Sequence, residues 1–465
     1  MTRLSVEMLA ADAPSPITSA GHAQLGIAVL AGIAVIVLLI TKFKLHAFLS
    51  LTIGSLVLGA VAGAPLDKAI TSFTTGLGST VAGVGVLIAL GAVLGKLLAD
   101  SGGADQVVDT ILAKAGGRAM PWAMVLIASV IGLPLFFEVG IVLLIPVVLM
   151  VAKRGNYSLM RIGIPALAGL SVMHGLIPPH PGPLVAIDAL KANLGVTLAL
   201  GIVVAIPSVI IAGPLFSKVA ARWVDVPAPD RMLPQRASEQ LERRPSFAAA
   251  LSTVLLPVVL MLAKALVDIV VDDPADTTQR VFDVIGSPLI ALLAAVIVGI
   301  FTLGRPAGFS KERINSTVEK GLMPIAGIML IVGAGGGFKQ TLIDCGVGQM
   351  ILDISKDWSI PAVLLAWLIA VVIRLATGSA TVATVSAAGL IAPLAADMST
   401  THTALLVLAI GAGSLFFSHV NDAGFWLVKE YFGLDVGQTI KTWSLMETIL
   451  SVVAGALVLA LSLIL

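Results

Sequence analysis

Long apolar runs dominate this sequence and restrict what the chain can fold into. Runs of roughly 16 to 24 apolar residues recur along it, and a helix of that length crosses the hydrocarbon core of a bilayer. Charged residues make up 12% of the 465-residue chain, against about 25% in soluble proteins. Backbone groups inside lipid must be hydrogen-bonded within the protein, which a helix achieves on its own. The sequence therefore predicts an all-α, polytopic membrane protein.

The apolar runs form two sets on either side of one hydrophilic stretch. The first set lies near residues 23–41, 45–63, 80–99, 119–135, 137–152, 159–177 and 194–216. The second set lies near residues 248–270, 284–303, 322–340, 360–376, 379–397, 402–420 and 441–464. We therefore divide the chain into an N-terminal tail at 1–22, a first membrane repeat at 23–216, a cytoplasmic linker at 217–246 and a second membrane repeat at 247–465.

Short matches between the two sets indicate an internal duplication. The segment 96–102, KLLADSG, is similar to the segment 340–346, QTLIDCG. Pro121 and Pro361 then stand at the start of the following runs, and His174 and His419 occupy corresponding places near the ends of later runs. Because these matches come in the same order, we predict that the two sets are structural repeats.

Loop charges predict the orientation of the repeats, because Lys and Arg accumulate on the cytoplasmic side. Basic loops lie near 42–44, 153–161, 217–246 and 305–320, and acidic loops lie near 272–283 and 344–357. The links at 134–138 and 374–381 are too short to sit outside a bilayer, so we interpret them as tips of re-entrant hairpins. This predicts about ten crossings, five in each of two inverted repeats, with both termini outside. It also predicts broken helices that meet at the middle of the membrane. Fourteen full crossings are the alternative.

Composition and motifs argue against several other classes of protein. A net charge of +1 offers no basic field for nucleic acid, and the single cysteine, Cys345, excludes an internal disulfide or a Cys-rich metal site. The glycine-rich segment 333–339 lacks the Gly-Lys-Ser/Thr ending of a phosphate-binding loop, and no hydrolase signature is present. We therefore expect no enzyme activity, no cofactor, no bound metal and no nucleic-acid partner.

Four polar segments interrupt the apolar runs, where ionisable side chains and broken backbone are costly in hydrocarbon. In the first segment, Glu138 lies between two runs. It is either a carboxylate at a helix end that reaches the membrane interface, or a buried carboxyl group that binds a proton. In the second, His174 and His180 flank a proline-rich stretch at 174–183 that must break a helix. An ordinary turn outside the membrane is the alternative, but two histidines that titrate near neutral pH favour a site.

The third and fourth segments hold most of the remaining polar candidates. The third combines an arginine with small hydroxyl residues and a glycine: Arg374, Thr377, Gly378, Ser379 and Thr381. Close helix packing would also explain the small residues, whereas the guanidinium of Arg374 needs a substrate carboxylate or an acidic protein group. The fourth places three polar side chains within four residues: His419, Asn421 and Asp422. They form either a turn at the protein surface or a group in which His419 and Asp422 relay a proton.

These four segments resemble the bacterial gluconate permease family. The resemblance rests on residues 132–140, 174–183, 378–384 and 418–426, and it extends over the chain from Gly21 to the C-terminus. It implies a gluconate:proton symporter in the bacterial inner membrane, with relatives that carry other sugar acids, hydroxy acids or D-serine. The wider group to which the family belongs implies a scaffold, a moving transport domain and an elevator-type motion. Many of its members are dimers, so a homodimer is among the assemblies to expect.

The chemistry of gluconate import suggests a role for each polar segment. Import of a monoanion against an inside-negative potential costs about 2.3 kcal/mol per 100 mV, and one co-transported proton removes that cost. We expect substrate binding by hydroxyl, amide, imidazole and guanidinium groups, aided by half-helix N-termini at the hairpin tips. The candidates for substrate binding are Thr377, Gly378, Ser379, Thr381, Asn421, His174, His180 and Arg374. The candidates for proton coupling are Glu138, Asp422 and His419.

Several alternatives stay open at this point. The same fold can carry another small hydroxy or amino acid, such as glycerate, lactate or D-serine, and it can use sodium in place of the proton. A passive channel is disfavoured mainly by the cluster of groups that titrate. A membrane enzyme is disfavoured because no catalytic constellation is recognisable.

Overall fold

The computed structural model describes residues 16–135, 137–226, 241, 243–271, 276–323, 325–348, 350, 361–419 and 422–465. Within these ranges the chain is helical and contains no β-strand, as the apolar runs predict. The first nine helices are α1 (His22–Thr41), α2 (Ala47–Val61), α3 (Leu66–Asp100), α4 (Gly103–Lys114), α5 (Met120–Gly132), α6 (Phe137–Arg154), α7 (Leu159–Leu176), α8 (Pro181–Leu190) and α9 (Leu194–Ile210).

A π-helical turn at Ile211–Leu215 continues α9 into α10 (Phe216–Trp223), so the predicted repeat boundary at residue 216 falls inside a continuous helix. The described helices of the second half begin with α11 (Phe247–Val270), α12 (Thr277–Ile285), α13 (Pro288–Gly299), α14 (Lys311–Leu322) and α15 (Ile325–Asp344). They end with α16 (Ala362–Thr377), α17 (Ala380–Ala395), α18 (Thr400–Ser414), α19 (Ala423–Phe432), α20 (Val436–Thr439) and α21 (Leu445–Ser462). Two further π-helical turns lie in the described second half: Ile300–Gly304 extends α13, and Ile440–Ser444 joins α20 to α21.

Long apolar helices give the molecule its membrane-spanning character. In the described part of the chain, 6 helices are long and apolar enough to cross a bilayer, or 8 if each of two bent pairs counts as one span. The bent pairs are Leu66–Gly83 with Gly85–Asp100 and Thr277–Ile285 with Pro288–Gly304. The prediction of about ten crossings also counts the shorter apolar helices α2 and α18, and it stays a prediction, as does the inversion of the repeats.

Burial separates an inner group of helices from an outer group. In the most apolar stretch of Leu159–Leu190, 83% of the residues are buried, against 22% in His22–Ile40. Helix α7 packs against α5, α6 and α21, while α16, α17 and α18 pack against one another. The broken helices therefore form the interior of the protein, and α1 presents much of its surface to lipid.

Each of the four polar segments coincides with a break between two helices. α5 ends at Gly132 before Pro134, and α7 ends at Leu176 before a run of prolines that lack the N–H needed to continue a helix. Gly378 ends α16 in the left-handed conformation, φ 72°, which glycine adopts without a steric penalty. Asp422 begins α19 by accepting a hydrogen bond from the N–H of Gly424.

Candidate functional site

Three of the four helix breaks line one cavity of about 260 Å³, together with α7, whose end forms the fourth break. Its lining comes from the end of α1, the α5–α6 break, α7, the α16–α17 break, the α18–α19 break, the π-helical turn Ile440–Ser444 and the last helix. The residues are Ile40, Phe137, Ser171, His174, Arg374, Thr377, Gly378, Ser379, Ala380, Thr381, Leu415, Asp422, Ala423, Gly424, Trp443 and Glu447. A site of this kind needs tertiary contacts between segments that lie up to about four hundred residues apart in the chain.

An ion pair between Arg374 and Asp422 forms the charged part of the cavity wall. The Arg374 side chain is 4% exposed and that of Asp422 is 15% exposed, so the pair is largely shielded from water. Asp422 also accepts hydrogen bonds from the Ser418 hydroxyl and, at 2.9 Å, from the Gly424 N–H. Trp443 in turn donates its indole N–H to the Ser418 Oγ at 2.7 Å. Asp422 is thereby held in place by three hydrogen-bond donors: Arg374, Ser418 and the Gly424 N–H.

Arg374 retains hydrogen-bonding capacity beyond this pair. Its Nε and Nη1 atoms have no hydrogen-bond partner among the described residues, whereas Nη2 donates to Asp422. A buried donor without a partner is costly, so an anion that accepted these two N–H groups would be stabilised. The guanidinium can therefore serve Asp422 and a bound carboxylate together.

The α16–α17 break supplies hydroxyl groups and a helix N-terminus to the same cavity. Thr377 donates its hydroxyl to the Ile373 carbonyl at 2.9 Å, and the Ser379 Oγ accepts the N–H of Val382 at 3.3 Å. Ala380 and Thr381, in the first turn of α17, also line the cavity. Free N–H groups and the helix dipole make such a terminus favourable for an anion.

Of the three predicted histidines, His174 lines the cavity, and His180 and His419 lie outside its lining. His174 lines the cavity, and its ring stands edge-on to that of His180 at a centroid separation of 5.6 Å. His180 is 3% exposed and hydrogen-bonds through Nε2 to the Gly132 carbonyl at 2.6 Å. It contacts the His174 ring and does not line the cavity itself. His419 hydrogen-bonds through Nε2 to the Leu375 carbonyl at 3.1 Å, in the last turn of α16.

The structure thus brings most of the predicted residues together, but not all. The cavity is lined by Arg374, Thr377, Gly378, Ser379, Thr381, Asp422 and His174. His180 and His419 do not line it. Asn421 and the side chain of Glu138 lie outside the described part of the structure, although the backbone of Glu138 belongs to α6 and its neighbour Phe137 lines the cavity. Within the described ranges, no group of three or more His, Cys, Asp or Glu side chains is arranged to hold a metal ion.

Sequence reasoning missed Glu447, which lines the cavity from α21 and is 2% exposed. Ser171 on α7 is a second cavity residue that was missed. The available signal was an acidic residue inside the apolar run 441–464, since an ionisable side chain within a membrane helix is by default a candidate for function. No proline or glycine lies within seven residues of Glu447, unlike in the four polar segments, so no helix break pointed to it.

Sequence comparison places the whole chain in one family. Residues 25–464 match the family described as GntP family permease. A gluconate permease of Pseudomonas aeruginosa is 48% identical over 431 residues, which are 92% of this chain and 96% of the relative. A high-affinity gluconate transporter of Escherichia coli is 42% identical over 90% of this chain and 95% of its own, and an L-idonate transporter of the same organism is 40% identical over 94% and 98%.

Comparison with solved structures supports the same fold class. The YdaH transporter of Alcanivorax borkumensis aligns with a TM-score of 0.60 at 18% identity, over 88% of this chain and 96% of its own. MtrF of Neisseria gonorrhoeae, an efflux pump, aligns with a TM-score of 0.60 at 16% identity, over 84% of each chain. At these identities the likeness concerns the fold alone.

The resemblance found in the four polar segments is confirmed by these matches along the full chain. The relatives and the structural neighbours are permeases or transporters and not enzymes, and the described helices are those of a multi-pass protein of the inner membrane. This chain therefore belongs to the GntP family of permeases.

Proposed function

We propose that this permease imports gluconate or a similar sugar acid by proton symport. The observation that carries the proposal is the cavity wall, in which the unpartnered N–H groups of Arg374 adjoin the hydroxyl-rich break between α16 and α17. A sugar acid has one carboxylate and several hydroxyls, so it needs both kinds of donor. The names of the most similar relatives point to the same class of substrate.

The carboxylate of the substrate is assigned to Arg374 and to the N-terminus of α17. Its hydroxyls are assigned to neutral donors and acceptors on the cavity wall: Thr377, Ser379, Thr381 and His174. Gly378 allows the substrate to approach the backbone closely, because it has no side chain. Asn421 and His180 stay in the proposal as further binding residues. A volume of about 260 Å³ lies below the roughly 300–1,000 Å³ of pockets for drug-sized ligands, which favours a small substrate.

We infer coupling to a proton from the negative charge of the substrate. A gluconate monoanion that enters together with one proton adds no net charge to the moving unit, and the pH gradient then drives uptake. The sequence candidates for this role remain Glu138, Asp422 and His419. Asp422 is the one of the three whose described side chain reaches the cavity, where Arg374 balances its charge.

A second candidate substrate is L-idonate. The Escherichia coli L-idonate transporter is 40% identical to this chain over 438 residues, nearly as similar as the gluconate transporter of the same organism. Idonate differs from gluconate in the configuration of one hydroxyl-bearing carbon. Discrimination between the two therefore depends on how individual hydroxyl partners in the cavity are placed.

Uptake by the purified protein in proteoliposomes tests the proposal. We expect radiolabelled gluconate to accumulate when the lumen is alkaline relative to the medium, and a protonophore to abolish the accumulation. Unlabelled idonate, glycerate, lactate and D-serine, added as competitors, rank the substrates. Accumulation that follows a sodium gradient and ignores the protonophore would contradict proton symport, and competition by D-serine but not by sugar acids would contradict the substrate class.

A further inference from the structure

Glu447 is a buried carboxyl group that the proposed binding of substrate does not use. Its side chain lines the cavity and is 2% exposed. The Oε1 atom has no hydrogen-bond partner within the described part of the chain. A carboxylate in such a place would be an uncompensated buried charge, whereas the neutral acid is far less costly to bury.

Three ionisable groups face Glu447 across the cavity. Arg374 reaches it from α16, Asp422 from the start of α19, and His174 from α7. Arg374 and Asp422 are paired with each other, so together they contribute no net charge. Among the described cavity residues, Glu447 therefore has no arginine or lysine of its own, and His174 is the one other side chain there that can become a cation.

In the described part of the chain, the remaining titratable side chains on elements packed against α21 stay out of the cavity lining. α9 and the π-helical turn Ile211–Leu215 contain no titratable side chain. Arg161 of α7 donates to the Pro214 carbonyl at 2.8 Å, His402 of α18 hydrogen-bonds to Ser399, and Lys441 is exposed. None of these three residues lines the cavity.

A charge count links the state of Glu447 to the substrate. With Glu447 ionised, the Arg374–Asp422–Glu447 group carries a net charge of about −1 before any substrate enters, and a bound monoanion raises this to about −2. With Glu447 protonated, the group is neutral, and the substrate carboxylate meets the unpartnered N–H groups of Arg374 without a competing negative charge. The anion is therefore favoured when Glu447 holds a proton, and by linkage the bound anion strengthens the binding of that proton.

We propose that Glu447 is the residue that carries the transported proton, with Arg374 and Asp422 as the fixed ion pair that makes substrate binding depend on it. This inference rests on the proton symport proposed above and names the residue that performs it. Ser171 of α7 lines the same cavity, and its hydroxyl is a neutral group that can serve either form of a carboxyl group as donor or acceptor.

The test is the binding of radiolabelled gluconate to the purified full-length protein as a function of pH. For the wild type we expect the affinity to fall by up to about tenfold per pH unit above a midpoint, as for release of one linked proton. Glu447→Gln, which imitates the neutral acid, should bind with an affinity that changes less than about twofold over the same range. Glu430→Gln is the matched control, because Glu430 is exposed, pairs with Lys429 and lies outside the cavity; it should behave like the wild type.

In proteoliposomes, Glu447→Gln should still exchange gluconate across the membrane but should fail to accumulate it in response to a pH gradient. A Glu447→Gln protein with the wild-type pH dependence would overturn the assignment of Glu447 and leave symport intact. A wild type whose binding and uptake ignore pH would instead overturn symport itself. Should Glu447→Gln fail to assemble, Glu447→Asp keeps a titratable carboxyl and should shift the midpoint; an unchanged midpoint would overturn the assignment.

Discussion

At the scale of single residues, the ion pair of Arg374 with Asp422 shows how a buried charge is tolerated in this protein. A guanidinium inside a membrane protein needs an anion or water, and the sequence left either a substrate carboxylate or an acidic protein group as the partner of Arg374. The structure assigns Nη2 to Asp422, 48 residues further along the chain, and leaves Nε and Nη1 unpartnered among the described residues. The acidic protein group is therefore Asp422, and the substrate carboxylate proposed above would use the other two nitrogen atoms.

We predict that Arg374→Ala destabilises the purified protein by about 3–5 kcal/mol and abolishes gluconate uptake, because it leaves Asp422 as an unpaired buried charge. The double substitution Arg374→Ala with Asp422→Ala should regain much of the stability but no uptake. Thermal unfolding and proteoliposome uptake measure the two effects.

Lys264→Ala provides the control for that prediction. Lys264 pairs with Asp283, and these side chains are 26% and 45% exposed, so the loss should be about 0–1 kcal/mol. If Arg374→Ala lowered stability no more than Lys264→Ala, the buried pair would not have the structural role assigned to it here.

At the scale of secondary-structure elements, glycines decide how closely two helices approach. The sequence could say only that the glycine-rich segment 333–339 is not a phosphate-binding loop. In the structure this segment lies in α15 and packs along α3, where a methyl group on Gly76 would lie 2.3 Å from the carbonyl oxygen of Gly336. Small residues allow helix backbones in membranes to come this close, which is the packing role of the segment.

We predict that Gly76→Ala lowers the thermal stability of the purified protein by about 1–3 kcal/mol, because the obstructing atom belongs to the backbone and cannot move aside. Gly78→Ala is a control on the same helix, since an added methyl group there meets nothing within 4 Å. It should leave stability unchanged or slightly raised. Equal losses from the two substitutions would show that the close contact between α3 and α15 does not limit stability.

At the scale of the whole molecule, the orientation in the membrane follows from loop charges and remains a prediction. The acidic loop before α12 is assigned to the outside and the basic loop before α14 to the cytoplasm. Hydrogen bonds from Thr278 lower the pKa of Asp276, so this loop keeps its negative charge at neutral pH. The homodimer and the elevator-type motion are also predictions, and they rest on the family resemblance.

Cysteine labelling in intact cells checks the orientation. A membrane-impermeant maleimide should label Thr278→Cys in intact cells and Lys311→Cys only after the cells are permeabilised, since both positions are exposed at opposite ends of the segment Thr277–Gly304. The wild type is the control, because its one cysteine, Cys345, is buried and should not react. Labelling in the reverse pattern would invert the predicted topology.

The sequence by itself determined that this chain is a helical membrane protein, that its helices break at four polar segments, and that those segments belong to one family of permeases. These properties are local: hydrophobic length, proline, glycine and polar residue types act within a few turns of helix. Arg374, Asp422, Thr377, Gly378, Ser379 and Thr381 could therefore be named in advance.

Only the tertiary structure decided which of these residues share a cavity. His180 and His419 come from the same polar segments as cavity residues, yet their hydrogen bonds to the Gly132 and Leu375 carbonyls hold them away from its lining. Glu447 lies in an apolar run without a helix break nearby, and it lines the cavity because α21 packs against α7 and α16. The physical reason is that the charge balance around a buried carboxyl depends on neighbours in space, and no pattern along the chain specifies them.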